Sequence, residues 1–283
     1  MSKIKISEIF YSLQGEGQYV GVPSIFLRTF GCNFTCSGFG LPKGELSTER
    51  DTVAERVSEF KDYRELPLVS TGCDSYASWD PRFKHLSPML TIDAIIERFK
   101  ELLPSGTFGR DKHLIITGGE PLLGWQRSFP ELIDRCIEIG LTHLTFETNG
   151  TQPLSHEFDM YLAEKAYDGL EITFSISAKL PCSGEKWEEA IIPTVIQQYV
   201  QTPNNRSYFK FVVATEDDVR DAHRAIEEYG AAGIDIPVYL MPVGGVNSVY
   251  ELNERQVADY CRDNGLRFSP RIQVPLYKNA WGT

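Results

Sequence analysis

The stretch "TIDAIIERFKELLPSGTFGRDKHLIITGGEP" (residues 91–121) contains a helix, a break and a buried strand in succession. Ile92, Ile95, Ile96, Phe99, Leu102 and Leu103 recur at helical spacing behind Thr91, whose hydroxyl is placed to cap the first turn. HLIIT (113–117) then has the short apolar character of a buried strand, and it runs into the tight turn TGGEP. The pattern repeats down the chain. Helical FPELIDRCIEIG (129–140), ended by Gly140, precedes the strand HLTFET (143–148). A helix near 155–167 precedes the strand LEITFSIS (170–177), and a helix near 186–200 precedes YFKFVV (208–213). A helix near 216–229, the strand PVYLMP (237–242), a helix near 251–264 and a last strand in RFSPR (267–271) complete the series. This alternation predicts an α/β protein with a parallel sheet and helices outside it, either a barrel or an open doubly wound sheet. Both architectures carry their chemistry at the C-terminal ends of the strands. The polar motifs TGGEP, ETNGT and SISAK close three successive strands.

Working outward, no repeat, low-complexity tract or long Pro/Gly linker divides the 283 residues, so one domain over 1–283 is expected. At 42% hydrophobic and 24% charged residues the chain has the balance of a folded globular protein. A formal net charge of -11 disfavours nonspecific attraction to nucleic acid and points to a small-molecule substrate. There is no apolar run of the roughly 18 residues needed to span a membrane, and MSKIKISEIF does not read as a secretory signal. A cytoplasmic protein without membrane or nucleic-acid partners is the expectation.

Six cysteines are too few for a disulfide scaffold. Cys136 and Cys261 lie within helical patterns, where a thiol packs as a small hydrophobe, and Cys182 follows SAKLP in a loop. Cys32 and Cys36 form a C-x3-C pair in GCNFTCSGFG (31–40), but Phe39 stands where a third cysteine would complete a compact iron-sulfur loop. By itself the pair admits chance spacing, a structural zinc site or a cluster. Zinc in structural sites prefers four protein ligands, and no fourth cysteine or histidine lies near. GCDSYASWD (72–80) resembles what would follow the missing third ligand, 36 residues downstream of Cys36. Cluster ligation requires thiolates to meet in space, whatever their spacing in sequence. Cys32, Cys36 and Cys73 are therefore the proposed ligands, with an insertion at about 37–72. That insertion includes TERDTVAERVSEFKDY, where Val53, Val57 and Phe60 fall near one face of an amphipathic helix. Three cysteines on a cubane leave one iron open to a small molecule.

The residues then carry a resemblance. FYSLQGEGQYVGVPSIFLRTFGCNFTC, CDSYASW, TGGEP, FETNGT, SISAK, KFVV, YLMP and SPRIQ occur in order over nearly the whole chain. Together they resemble the radical S-adenosylmethionine enzymes and, within them, the 7-carboxy-7-deazaguanine synthases. TGGEP alone would equally serve as a strand-to-helix turn, and an Asn-Gly turn beside a glutamate needs no ligand.

The resemblance implies a modified, partial (βα) barrel with an inserted helical segment in the cluster loop. It implies a 4Fe-4S cluster, S-adenosylmethionine and magnesium as cofactors. The implied reaction is conversion of 6-carboxy-5,6,7,8-tetrahydropterin to 7-carboxy-7-deazaguanine with loss of ammonia, in the deazaguanine and queuosine pathway. A homodimer fed by a flavodoxin-like electron donor goes with it.

By residue, Asp74, Gly118, Gly119, Glu120, Glu147, Asn149, Ser175, Ser177 and Lys179 fall to the cofactor. Glu120 offers an acceptor to an ammonium, and strand alternation sends Ser175, Ser177 and Lys179 to one face. Gln14, Glu16, Arg28 and Gln273 fall to the substrate, Arg28 as a bidentate partner for its carboxylate. Ser75 matches the hydroxyl ligand of magnesium, a hard cation that prefers oxygen. The chain departs from the family pattern at Ala178, where proline is usual, and at Gln273, where histidine is usual. Two alternatives stay open: a radical activase acting on a protein partner, and a non-catalytic descendant lacking the cluster.

Overall fold

The computed structural model describes residues 2–244 and 247–283. Nine strands form one mixed sheet: β1 (Lys3–Leu13), β2 (Pro23–Thr29), β3 (Met89–Thr91), β4 (His113–Gly118), β5 (His143–Thr148), β6 (Glu171–Ile176), β7 (Tyr208–Val213), β8 (Val238–Pro242) and β9 (Arg267–Phe268). Their order is β3-β1-β2-β4-β5-β6-β7-β8-β9. β1 pairs antiparallel with both β2 and β3, and every pairing from β2 to β9 is parallel. β1, β2 and β3 lie ahead of the strand-helix alternation, which begins at residue 91 and did not predict them.

The helices are α1 (Glu49–Glu55), α2 (Ile92–Leu102), α3 (Phe129–Glu138), α4 (His156–Tyr167), α5 (Trp187–Ala190), α6 (Pro193–Gln201), α7 (Glu216–Ala231), α8 (Asn247–Asn264) and α9 (Gln273–Tyr277). Thr91 caps α2 by accepting from the Ala94 amide, and α2 buries Ile92, Ile95, Ile96 and Phe99. α3 buries Phe129, Leu132, Ile133 and Cys136 in the same core. The helix expected over 186–200 is two helices. Pro193 has no N–H to continue α5, and it holds Ile192 at φ -125°, ψ 82°, outside the helical region. Cys136 and Cys261 are fully buried, as their helical settings predicted, while Cys182 is half-buried in a short 3-10 turn.

Alternation along the parallel strands separates the core from the cavity. Phe146 and Phe174 pack with Phe158 and Tyr199 under the helices, while their neighbours Glu147 and Ser175 line the cavity. The two ends of the sheet also approach each other. The Gly17 amide donates to Ser269 Oγ at 2.8 Å and the Ile272 amide to Gly15 O at 3.1 Å, joining the loop after β1 to the segment after β9. The sheet thereby curls toward the partial barrel expected from the sequence, and its interior is the cavity.

Candidate active site

A cavity of about 270 Å3 opens among the C-terminal ends of β2 and β4–β8 and the loop after β1. All the candidate site residues line it except Glu120.

One part of the lining is polar and charge-dense. Glu16 is enclosed by Lys210 Nζ at 2.5 Å, Arg271 Nε at 3.2 Å and Gln273 Nε2 at 2.7 Å. Burial alone would raise its pKa, but the two cations prevail and hold the carboxyl at about 2. Lys210 is only 5% exposed, and its ammonium is raised well above its ordinary value because Glu16 and Glu147 outweigh its burial. Arg271 also donates from Nη2 to Asp74 at 2.8 Å, so it joins the Glu16 cluster to the residue after Cys73. A Cβ on Gly15 would lie 1.9 Å from Gln273 Oε1, so a side chain there would displace the Gln273 amide.

Lys210 and Arg271 were not among the sequence candidates. The signal for Lys210 was a single charge within the apolar strand YFKFVV, in phase with an inward face; Arg271 stood inside the quoted SPRIQ.

The other substrate candidates are engaged. Gln14 donates from Nε2 to Glu147 at 3.0 Å and accepts from the Glu16 amide at 3.0 Å, so it shapes the loop through both ends of its amide. Glu147 also accepts from Thr117 Oγ1 at 3.0 Å. Arg28 donates from Nε to Glu8 and from Nη1 to Ser75 Oγ, both at 3.0 Å. A ligand carboxylate would therefore meet its Nη1/Nη2 edge. Glu8 is pushed above the ordinary carboxylate range because its burial outweighs the pairing with Arg28.

The cysteine loop supplies another part of the lining. Cys32, Cys36 and Cys73 line the same cavity and pack against Phe34, Phe39 and Ala190. Burial pushes all three thiols up, Cys32 to about 12. Cys36 holds a left-handed φ of 48°, uncommon for a residue with a side chain. The TGGEP glycines serve the loop directly. A Cβ on Gly119 would lie 2.4 Å from Gly31 O and 2.7 Å from Cys32 Cβ, and one on Gly118, at φ 152°, would lie 2.5 Å from Thr29 O.

Lys179 donates to Ser177 at 3.0 Å, and its charge acts on each of the three thiols. Ser175 lines the cavity on the same strand end, so the predicted shared face of Ser175, Ser177 and Lys179 is present even with Ala178 buried between the last two.

Two of the cofactor candidates, Glu120 and Asn149, are engaged by the protein itself. Glu120 is fully buried outside the cavity lining. Its carboxylate accepts from the Leu122 amide, Thr148 Oγ1 and the Asn149 amide at 2.7–3.0 Å, and burial pushes it up to about 7. Three of the roughly four acceptor sites of this carboxylate are used by the protein. Asn149 likewise donates to Asn33 and accepts from Thr151, tying the ETNGT turn to the cysteine loop.

Fit to metals divides by type. Among the described residues, no group of three or more His, Cys, Asp or Glu could hold one metal ion. A cubane makes a different demand, because each thiolate binds a separate corner iron. Three thiols on one cavity wall beside a glycine-lined approach suit that arrangement. The magnesium position fits poorly: Ser75 Oγ faces the Arg28 guanidinium and Asp74 faces that of Arg271, so a dication would meet two positive charges.

No family model matches the chain. It is 27% identical over 282 residues to a 7-carboxy-7-deazaguanine synthase of Halobacterium salinarum, covering 98% of this chain and 91% of the relative. It is 27% identical over 283 residues to the synthase of Pyrobaculum aerophilum, covering 99% and 97%. The chain is a full-length relative of the 7-carboxy-7-deazaguanine synthases. The crystal structure of QueE from Escherichia coli has the same fold, with a TM-score of 0.54, 20% identity, and coverage of 94% of this chain and 93% of that one.

In this synthase relative the interrupted cysteine loop closes on itself. The Gly72 amide donates to Phe39 O at 2.7 Å, so the chain leaves the loop at Phe39 and returns beside it one residue before Cys73. Ser47 and Thr71 brace the stem through their hydroxyls at 2.7 Å. The insertion beyond it contains the expected helix as α1, shortened and followed by two 3-10 turns. It buries Ala54, Tyr63, Leu66 and Val69 against Tyr76, Phe83 and Trp281, and Trp281 Nε1 donates to Leu66 O at 2.7 Å.

Proposed function

We propose that this chain is a radical S-adenosylmethionine synthase that converts 6-carboxy-5,6,7,8-tetrahydropterin to 7-carboxy-7-deazaguanine with loss of ammonia. The observation that carries the proposal is that one cavity is lined by three cysteine thiols and also by Arg28 and the cation-held Glu16. The full-length relatives bear the synthase name, which supports the same assignment.

In this proposal Cys32, Cys36 and Cys73 hold the cluster, and S-adenosylmethionine lies along Gly118, Gly119, Ser175, Ser177 and Lys179. When bound, the pair supplies one-electron hydrogen abstraction, chemistry that no side chain provides. The protein's own task is to bind, orient and shield. The Nη1/Nη2 edge of Arg28 takes the substrate carboxylate. Glu16 accepts N–H groups from the polar edge of the heterocycle. With Glu16 at about 2 and Lys210 raised, neither exchanges a proton near neutrality, so both orient the substrate. No step is assigned to magnesium. The enzyme is proposed to act in the cytoplasm as a homodimer with a flavodoxin-like donor; among the described residues no helix is long and apolar enough to cross a membrane.

The test is anaerobic reconstitution with iron and sulfide, followed by reaction with the carboxylated pterin, S-adenosylmethionine and a reductant. About four irons per chain are expected, with loss of iron in Cys73→Ala and release of the deazaguanine acid by wild type. A loaded protein that leaves the pterin unchanged overturns the substrate assignment, and a wild type without iron overturns the enzyme assignment.

A further inference from the structure

We infer that Glu185 is a positioning residue for the cysteine loop, holding Cys36 in its left-handed conformation and making a cluster bound there harder to reduce. The inference rests on the cluster assignment above.

Glu185 Oε1 accepts from the Thr35 amide at 2.8 Å, from Thr35 Oγ1 at 3.2 Å and from the Cys36 amide at 2.7 Å. One carboxylate oxygen thus collects three donors from the residues that present Cys36. A non-glycine residue at φ 48° persists only where its surroundings hold it, and these contacts act on that residue and the one before it.

Glu185 is itself held firmly. Its amide donates to Ser183 Oγ at 3.2 Å, and Ser183 O accepts from the Gly38 amide at 2.8 Å, just beyond Cys36. A Cβ on Gly38 would lie 2.7 Å from the Gly184 nitrogen, so this segment lies directly against the loop. Two residues on, Trp187 donates to Glu228 at 3.1 Å and stacks with Arg224 at 3.9 Å, which fixes α5; Ala190 then packs on Phe34 and Cys36.

The electrostatic consequence follows from what sets a cluster's potential: net charge nearby and hydrogen bonds to its sulfurs. Glu185 adds a negative charge beside Cys36 and engages the Thr35 and Cys36 amides, which would then not be free to donate to the sulfurs of a bound cluster. Both effects disfavour the reduced state. Lys179 acts on the same thiols with the opposite sign.

The experiment compares wild type, Glu185→Gln and Glu185→Ala as full chains reconstituted anaerobically, by iron content and by redox titration of the cluster. The glutamine keeps an acceptor oxygen without the charge. It should retain iron and shift the reduction equilibrium toward the reduced form about tenfold, which is about 59 mV for one electron. The alanine should shift likewise and lose at least half its iron. Wild-type iron content and potential in both variants would overturn the inference. Iron loss in alanine with an unshifted glutamine variant keeps the positioning role and overturns the tuning. A wild type that binds no iron instead overturns the cluster assignment, a result distinct from either.

Discussion

Glu16 lines the cavity and is largely enclosed, while Glu120 is fully buried beneath the TGGEP turn beside it. Glu16 is surrounded by Lys210, Arg271 and Gln273 and is held at about 2; Glu120, under the TGGEP turn, receives three hydrogen bonds from neutral donors and is pushed up to about 7. Burial raises both. Full opposing charges reverse it at the first, and neutral donors offset it only partly at the second. The surroundings of Glu16 are thus a fixed charge network, and the turn near the cysteine loop is a neutral scaffold in which even a carboxyl group serves as a hydrogen-bond hub. A carboxylated, nitrogen-rich substrate matches the first, and closely approaching backbone matches the second.

Lys210→Met should disturb this contrast most. Removing one partner of a buried ion pair costs about 3–5 kcal/mol, which a shift of the urea midpoint would measure, and KM for the carboxylated pterin should rise with it. A cost near zero would mean that Arg271 alone holds Glu16.

Glu16→Gln sharpens the contrast through pH. A carboxyl at about 2 when folded and 4.5 when unfolded contributes about 3 kcal/mol above pH 4.5. The contribution declines as pH falls from 4.5 toward 2. The stability gap between wild type and variant should therefore narrow over that window, and a constant gap would show that Glu16 is not depressed.

Gly119→Ala tests the other half. With Gly31 O at 2.4 Å from the added methyl, about 1–3 kcal/mol of overpacking is expected, together with reduced iron retention. Unaltered unfolding and iron content would show that the turn has room to move.

Glu120→Gln mirrors Glu16→Gln: the displacement from 4.5 to about 7 is as large as that from 4.5 to about 2, so about 3 kcal/mol is at stake with the opposite sign. A folded pKa raised to about 7 means that the wild type is favoured below pH 4.5 and loses that advantage as pH rises through 7. The variant should thus gain relative to wild type between pH 5 and 8, as measured by unfolding free energies at the two values.

Periodicity carried most of the architecture. The apolar spacing in α2 and α3 and the short runs of β4 to β8 are local patterns, and local patterns survive in sequence. The division at Pro193 was equally local, yet apolar residues on both sides of it masked the break. β1 to β3 lie ahead of the first strand-helix repeat, so the alternation gave no signal for them.

The cysteines show the same boundary. The sequence by itself determined that three thiols were available, that TGGEP, ETNGT and SISAK end neighbouring strands, and that an insertion separates Cys36 from Cys73. Only the tertiary structure decided that Phe39 O and the Gly72 amide close that gap, that Glu120 and Asn149 direct their side chains to protein partners, and that Lys210 and Arg271 converge on a glutamate 194 and 255 residues away. Side-chain type and period are properties of neighbouring residues in sequence; which carboxylate faces which cation depends on how the whole sheet curls, and no local pattern encodes that.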